Sequence, residues 1–212
     1  GAGNARAATS YYWFYRWVIS KGCTGTRVPV TVTVTPGPAF AVSNDFTVCN
    51  NAVKPVKVTT ATAGNFDEVV WTPAANLYTD AAGTIPYVPN TPLKTVYYKS
   101  ATPGVFSIVA NATNTTTNCK NADTVTITVL PAAMEVQARI PVFCSSGSSV
   151  LNVVNPGELG TAVVQWQESA DNVSFTDIAN ATGLTYTTPV LTATRYYRVQ
   201  LIVDNATCGL AS

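Results

Sequence analysis

Residues 144–166 read CSSGSSVLNVVNPGELGTAVVQW, and residues 49–71 read CNNAVKPVKVTTATAGNFDEVVW. Both stretches begin with a cysteine and end with a tryptophan 22 residues later. Self-similarity at a fixed spacing indicates a repeated structural unit. A tyrosine pair and a further cysteine follow each tryptophan, namely Tyr97-Tyr98 with Cys119 and Tyr196-Tyr197 with Cys208. The sequence therefore predicts one structural unit that occurs at least twice.

Short stretches with the alternation of β-strands recur along the chain. Val125, Ile127 and Val129 alternate with threonines, which is typical of a strand with one buried and one solvated face. Similar runs, rich in β-branched and aromatic residues and bounded by Gly, Pro, Asn and Asp, predict strands at 28–34, 56–59, 68–71, 96–100, 106–110, 150–154, 162–167 and 196–203. Many short strands separated by turn residues predict an all-β sandwich or barrel.

Two proline-containing segments divide the chain. Pro36-Gly37-Pro38 and Leu130-Pro131 each follow a Thr-Val strand, as expected of domain boundaries. The predicted units are a partial unit at 1–36 that supplies the last two strands only, a complete unit at 37–131, and a third unit at 132–212. The segment at Cys208 aligns with the one at Cys23, and the strand after Cys23 has no counterpart after Ser212. The third unit is therefore expected to lack its last strand.

The charge of the chain argues against nucleic acid as a partner. Charged residues make up 11% of the sequence, against roughly 25% in ordinary soluble domains. Because few residues are charged, the surface is expected to consist largely of hydroxyl and amide groups. The net charge is +1, and no cluster of Lys or Arg forms a stripe that could neutralise several phosphates.

No apolar run reaches the ~18 residues that a membrane span requires.

The residue types give no support for an enzyme. The sequence contains no histidine, which removes the most common general base and the Ser-His and Cys-His nucleophilic pairs. The carboxylates of Asp67, Glu68, Glu158 and Asp171 are scattered over predicted turns. No Gly-rich phosphate loop and no zinc-type spacing occurs. The chain is expected to be non-catalytic and to need no cofactor or metal.

The cysteines indicate an oxidising compartment. Five cysteines occur at repeating positions, none in a C-x-x-C pair. Without histidine, this arrangement fits disulfides better than metal binding or redox chemistry. Secretion is therefore expected.

The third unit carries the most specific sequence pattern. It consists of Val164-Gln165-Trp166-Gln167-Glu168-Ser169, then Asp171, Phe175, Asp177-Ile178, Ala181-Thr182, Tyr186, Thr194-Arg195-Tyr196-Tyr197-Arg198-Val199 and Cys208. This pattern resembles the immunoglobulin-like repeats of large secreted surface proteins of Bacteroidetes, including gliding-type adhesins exported by the type IX system. The resemblance implies tandem immunoglobulin-like antiparallel β-sandwiches, with incomplete units at both ends, on the outside of the cell.

The resemblance also implies roles for individual residues of this chain. Trp71 and Trp166 would lie in the cores beside a disulfide that joins the two sheets, with Tyr98 and Tyr197 facing inward. On that model Cys49 pairs with Cys119 and Cys144 pairs with Cys208. The alternative is that these four cysteines are buried free thiols. Cys23 is left over, and its partner would lie upstream of residue 1 or in another chain.

One segment departs from this pattern, because aromatic residues occupy both faces of the predicted strand at 11–19. If Tyr12 aligns with the inward Tyr197, the outward side chains are Tyr11, Trp13, Tyr15 and Trp17. A solvent-facing stripe of that size needs a cover, which makes it an interface. If Arg16 instead reverses the register, the stripe is ordinary core.

Two functional hypotheses follow. In the first, the chain is a structural subunit or repeat segment of an extracellular fibre or giant cell-surface adhesin. Its partners are then copies of itself or neighbouring immunoglobulin-like domains. Chains would join by covalent continuity, by non-covalent packing, or by strand addition after Ser212 through Val28, Val30, Val32 and Val34 of a neighbour. In the alternative, the units form a glycan- or protein-binding module of a secreted surface protein.

Overall fold

A computed structural model describes residues 38–59 and 65–210 of the 212-residue chain. From Gly37 onward the chain forms one compact unit. The predictions for the partial unit at 1–36, which include Cys23, lie outside the described residues. The same holds for the expected interface residues Tyr11, Trp13, Tyr15, Trp17, Val28, Val30, Val32 and Val34.

All regular elements of the described residues are β-strands. They are β1 (Phe46–Val48), β2 (Lys54–Lys57), β3 (Glu68–Thr72), β4 (Leu77–Tyr78), β5 (Thr95–Tyr98), β6 (Gly104–Thr113), β7 (Lys120–Val129), β8 (Glu135–Ala138), β9 (Val150–Val154), β10 (Val163–Ser169), β11 (Thr176–Asp177), β12 (Thr185–Thr187), β13 (Tyr196–Val203) and β14 (Ala206–Leu210). No membrane-crossing helix is found in this part of the chain.

The strands form two sandwiches in tandem. In the first, the sheet β1-β7-β6-β3 shares a core with the sheet β2-β5-β4. In the second, the sheet β12-β9-β8 shares a core with the sheet β11-β10-β13-β14. All pairings are antiparallel except that of β1 with β7. The fold is all-β and immunoglobulin-like, which confirms the fold class predicted from the sequence.

Alternating side chains explain why these segments pair as they do. Strands β6 and β7 pair along their whole length, from Gly104 opposite Val129 to Thr113 opposite Lys120. On β7, Val125, Ile127 and Val129 are fully buried, while the residues between them are partly exposed. Because successive side chains of a strand point to opposite faces, this spacing turns one face to the core. The register is therefore fixed by burial, since a slip of one residue would expose the apolar set.

Each core contains one tryptophan. Trp71 on β3 and Trp166 on β10 are both completely buried. Their indole Nε1 atoms donate hydrogen bonds of 2.8 Å to the carbonyl oxygens of Leu93 and Gly183. A buried indole N–H needs such a partner. The two tryptophans thus occupy equivalent positions, on the third strand of each sandwich.

The tyrosine pairs do not occupy equivalent positions. Tyr98 lies on β5, the fifth strand of the first sandwich, whereas Tyr197 lies on β13, the sixth strand of the second. The fifth strand of the second sandwich is β12, which carries Tyr186. Tyr98 is buried and Tyr197 packs against the second core. The Tyr197 hydroxyl has no hydrogen-bond partner among the described residues, so it does not tie down a loop there.

The second sandwich has a strand at the edge where the sequence predicted a missing one. Strand β14 pairs with β13, in the place that β7 holds beside β6. The two strands join through Asp204 and Asn205, whose φ angles of 49° and 64° suit a tight two-residue hairpin. The prediction that this unit lacks its last strand is therefore wrong. Cys208 lies within the last strand and does not precede it.

The turn between β10 and β11 is held by one carboxylate. The Asp171 side chain accepts hydrogen bonds from the backbone N–H groups of Ser174 (2.8 Å) and Val173 (2.9 Å) and from the Ser169 hydroxyl (2.7 Å). These bonds, the one from Ser174 first, lower the pKa of Asp171 from its ordinary value of 3.8 to about 2. Hydrogen bonds to a carboxylate favour its charged form.

We expect this turn to weaken in acid. Because the folded-state pKa is lowered, the contribution of Asp171 to stability is complete above pH ~4 and is lost as the pH falls through ~2. In Asp171→Asn, which keeps an acceptor oxygen but does not titrate, the melting temperature should vary less between pH 4 and pH 2. Asp171→Ala removes the acceptor and should also lower the melting temperature at pH 7. An unchanged pH profile in Asp171→Asn would contradict this account.

Candidate functional site

A disulfide joins the two sandwiches. Cys49 directly follows β1 of the first sandwich, and Cys208 lies on β14 of the second. The two residues are 159 positions apart in sequence, and their Cα atoms are 5.3 Å apart, as usual for a disulfide. The bond therefore connects one end of the first sandwich to the second sandwich.

This bond corrects the pairing that the family resemblance implied. Cys119 and Cys144 are free thiols, the first half-buried and the second exposed. Cys49 adjoins Val48, which pairs with Val129 at one end of β7, whereas Cys119 precedes Lys120 at the other end. At ~3.3 Å per residue the two ends of β7 are about 30 Å apart. A disulfide needs Cα atoms within about 7 Å, so Cys49 cannot reach Cys119.

A glycine loop of the second sandwich packs against the first. The backbone N–H of Thr161 donates a 2.8 Å hydrogen bond to Oγ1 of the buried Thr47. The neighbouring Gly160 has a φ of 55°, and a Cβ atom there would collide with Thr47 Oγ1 and crowd Thr128. Only glycine fits this close approach without displacing its neighbours. The contact fixes the loop before β10 against β1 and β7.

The connection between the sandwiches is packed. Leu130, the first residue after β7, is fully buried and belongs to the second core. Its backbone N–H donates a 3.0 Å hydrogen bond to the carbonyl of Val48. Met134, just before β8, is also buried in that core. The connecting segment is thus bound at both ends and has little freedom to act as a hinge.

An exposed ion pair completes the junction. Lys54 Nζ lies 2.9 Å from Asp204 Oδ2 and 4.8 Å from the centre of the Phe46 ring. Asp204 is mostly exposed, and surface pairs of this kind contribute only about 0–1 kcal/mol. The covalent bond and the packed loop therefore dominate the junction. In the chain-entropy model, closing a loop of this length contributes about 5 kcal/mol.

A network of polar side chains lies on the outer face of the sheet β11-β10-β13-β14. The Gln167 side chain donates to Asp177 Oδ1 (2.7 Å) and to Gln200 Oε1 (2.8 Å), and Gln200 Nε2 donates to Thr207 Oγ1 (2.9 Å). These side-chain bonds cross all four strands of the sheet. They form a continuous ladder, which we call the amide ladder.

Arg198 is held in one position beside the amide ladder. Its Nε donates a 2.7 Å hydrogen bond to Gln167 Oε1, and its guanidinium lies 4.0 Å from the centre of the Phe175 ring. Within the described ranges, no carboxylate forms a salt bridge with Arg198. A guanidinium held by stacking and by one hydrogen bond presents its remaining N–H groups as a rigid fork.

The described residues contain no candidate metal centre. No three side chains of Cys, Asp, Glu or His come together there in a way that could hold an ion. Asp67 and Asp80 each accept hydrogen bonds from a nearby threonine within their own sandwich, through Thr115 and Thr84. The hydrogen bond from the Thr115 hydroxyl lowers the pKa of Asp67, and that from the backbone N–H of Ile85, followed by those from Thr84, lowers the pKa of Asp80. These aspartates therefore stabilise loops.

The disulfide between the two sandwiches was not predicted from the sequence, although one residue pattern indicated that Cys49 does not pair within its own core. Asn50-Asn51 directly follows Cys49, and Asn51 has a φ of 60°. Asparagine in this conformation is typical of turns. Such a turn places Cys49 at the end of a strand, whereas a disulfide across the core joins cysteines inside strands.

Comparisons with known proteins found one family model and several solved structures of low sequence identity. A family model described as a domain of unknown function, DUF8696, matches residues 136–212. No curated protein sequence matches the chain. The chain is similar to a crystal structure of titin domains, with 12% identity and a TM-score of 0.38 over 82% of this chain and 63% of that one. It therefore spans less than two thirds of that titin fragment.

Two further solved structures show similarity at the same level. Extracellular domains 3–5 of Drosophila OTK match with 13% identity and a TM-score of 0.39, over 81% of this chain and 59% of that one. The D00-D0 domain of intimin matches with 10% identity and a TM-score of 0.39, over 82% of this chain and 100% of that one. At these identities, no activity or partner transfers to this chain.

Removing the disulfide should loosen the junction. In Cys49→Ser/Cys208→Ser, we expect the free energy of unfolding to fall by up to about 5 kcal/mol and the radius of gyration in small-angle scattering to rise. The matched control is Cys119→Ser/Cys144→Ser, which also removes two cysteines and should change neither quantity. Peptide mapping of the native chain that links Cys49 to Cys119 would contradict the junction described here.

Proposed function

We propose that the chain is a non-catalytic structural segment of an extracellular fibre or giant cell-surface adhesin, whose role is to keep a fixed length under load. The observation that carries this proposal is the disulfide between Cys49 and Cys208. A segment that transmits force gains from such a bond, because it removes relative motion at the junction.

The route of force through the chain supports a mechanical role. A pull on the two ends reaches Cys49 from one side and Cys208 from the other. The disulfide then carries the load, and strands β2 to β13 lie outside the loaded path. Hydrophobic cores and sheets that carry no load are not pulled apart, so the segment keeps its length.

The chemistry of the chain supports an extracellular setting. Disulfides persist in oxidising compartments and are rare in the cytosol. The low content of charged residues, 11%, leaves hydroxyl and amide groups as the main polar surface. Such a surface neither attracts nor repels neighbours strongly at a distance, which suits close packing of many copies.

Single-molecule force spectroscopy tests the load-bearing role. The oxidised chain, pulled from its ends, should not lengthen by the contour length of the segment between Cys49 and Cys208, which are 159 residues apart. In Cys49→Ser the same pull should release about 550 Å of additional contour length, at ~3.5 Å per residue. Cys144→Ser is the control and should behave like the unmodified chain. If the oxidised chain released this length at low force, the load-bearing role would be wrong.

The geometry of Arg198 favours a second candidate function, the binding of an acidic glycan. The fork of Arg198 fits a carboxylate such as that of a uronic acid. The neighbouring amide of Gln200, which is half-buried, could exchange its bond to Thr207 for one to a sugar hydroxyl.

A glycan array tests this second function. If a uronate-containing glycan binds the wild type, Arg198→Lys should weaken binding about 10-fold or more, because lysine keeps the charge but loses the fork. Lys120→Ala, which removes an exposed cation from the first sandwich, is the matched control and should bind as wild type does. Equal binding by the Arg198→Lys variant would exclude this site.

A further inference from the structure

The two cysteines of the junction differ in their exposure. Cys208 is 2% exposed and is part of the second hydrophobic core. Cys49 is half-buried and packs against that core, so a thiol that arrives from solvent meets Cys49 first. Attack on one sulfur of a disulfide expels the other as a thiolate. Opening through Cys49 therefore places the new thiolate on Cys208, in apolar surroundings that disfavour its charge.

Cys49 is held in place by the first sandwich independently of the disulfide. Its carbonyl accepts a 3.0 Å hydrogen bond from the backbone N–H of Ala52. The backbone N–H of Asn51 donates a 2.9 Å hydrogen bond to the carbonyl of Ser100, in the connection between β5 and β6. These main-chain bonds do not involve the sulfur, so the turn at Cys49 keeps its place when the disulfide is reduced.

Cys208 is likewise held by the second sandwich. It lies on β14 and pairs with Leu201 of β13, and both residues are buried in the second core. The main-chain hydrogen bonds of this strand pair do not depend on the disulfide. Reduction therefore leaves the Cys208 thiol on a formed strand and inside the core.

The loop before β10 determines how closely the two cysteines approach each other. Thr161 of this loop is hydrogen-bonded to Thr47, which lies two residues before Cys49 on the same extended segment. Gly160 lies so close to Thr47 that a Cβ atom would collide with its Oγ1 atom. Because Cys208 belongs to the same sandwich as the loop, moving the loop away from Thr47 also moves Cys208 away from Cys49.

We propose that Gly160 and Thr47 are positioning residues for the junction disulfide, which opens and closes through the Cys49 sulfur while the two sandwiches stay in contact. The contact keeps the two thiols at a high effective concentration, so a reduced junction closes again in place. Cys208 is then the buried resolving thiol. This inference adds a redox property to the junction and is independent of the proposed mechanical role.

Opening by a small monothiol such as glutathione takes two exchange steps. A glutathione thiolate attacks the Cys49 sulfur, forms a mixed disulfide there and releases the Cys208 thiolate, which takes up a proton. A second glutathione thiolate attacks the glutathione sulfur of the mixed disulfide, releases the Cys49 thiolate and leaves oxidised glutathione. Two electrons and two protons thus pass from two glutathione thiols to the two protein thiols. Closing reverses these steps, with Cys208 displacing glutathione from Cys49.

A thiol-disulfide equilibrium tests the positioning role. The full chain carries Cys23→Ser, Cys119→Ser and Cys144→Ser, so that only the junction disulfide exchanges with a glutathione redox buffer. In this background Gly160→Ala should lower the equilibrium constant for bond formation at least about tenfold, which makes the reduction potential about 30 mV less negative. Gly157→Ala is the matched control. Gly157 also has a positive φ, 64°, but a Cβ atom there would meet nothing within 4 Å, so the equilibrium should not change.

A second substitution keeps the test decisive if Gly160→Ala fails to fold. Thr47→Val keeps the shape of the side chain but removes the oxygen that accepts the Thr161 hydrogen bond. It should lower the same equilibrium constant about fivefold, as expected for the loss of one hydrogen bond. Equal equilibrium constants in Gly160→Ala, Thr47→Val and the control would overturn the positioning role.

Single-cysteine chains in the same background test the route of opening. In folded chains, oxidised glutathione should modify Cys49 of the Cys208→Ser variant at least about tenfold faster than Cys208 of the Cys49→Ser variant. In denaturant the two rates should become equal, because burial then no longer protects Cys208. Equal rates in the folded chains, or faster modification of Cys208, would overturn exchange through Cys49. The force measurement tests the proposed function separately, since none of these experiments applies a load.

Discussion

The close contact between the first and second sandwiches is the constraint on which the rest of the described structure depends. Leu130 belongs to the second core although it directly follows the last strand of the first. Gly160 lies against Thr47 so closely that a larger residue would not fit. Cys49 and Cys208 then add a covalent bond at the same place. Packing, backbone conformation and a covalent bond therefore act together to hold the two sandwiches in one relative position.

The strands were predictable because their faces differ in polarity. The alternation of Val125, Ile127 and Val129 with threonines determines which side chains are buried, and the structure buries these three. A period of two residues is a property of the extended backbone itself. The burial of Trp71 and Trp166 follows from the same logic, since a large aromatic residue in mid-strand needs a core. The burial of these side chains depends on residues close to them in sequence, so it can be predicted from the sequence.

The disulfide partners and the strand equivalences were not predictable in the same way. Cys119 follows Trp71 by 48 residues and Cys208 follows Trp166 by 42, so the repeat offers Cys49 one candidate partner in each sandwich. Spacing alone does not decide between them. The position of Cys49 at the end of β1, about 30 Å from Cys119 along β7, decides the question. Similarly, Tyr98 and Tyr197 follow their tryptophans at similar spacings but lie on different strands. The amide ladder joins residues of four strands, and no single stretch of sequence contains it.

The bond between Cys49 and Cys208 also encloses almost every exposed loop of the described chain. The long connection from residue 79 to residue 94 carries the exposed Ile85 and Val88, and such loops are preferred sites of proteolytic cleavage. A protease that cuts this loop breaks the backbone between the two sulfurs. The two ends nevertheless remain one covalent molecule, held through the sulfur atoms. A chain built in this way tolerates a nick that would sever an ordinary string of domains.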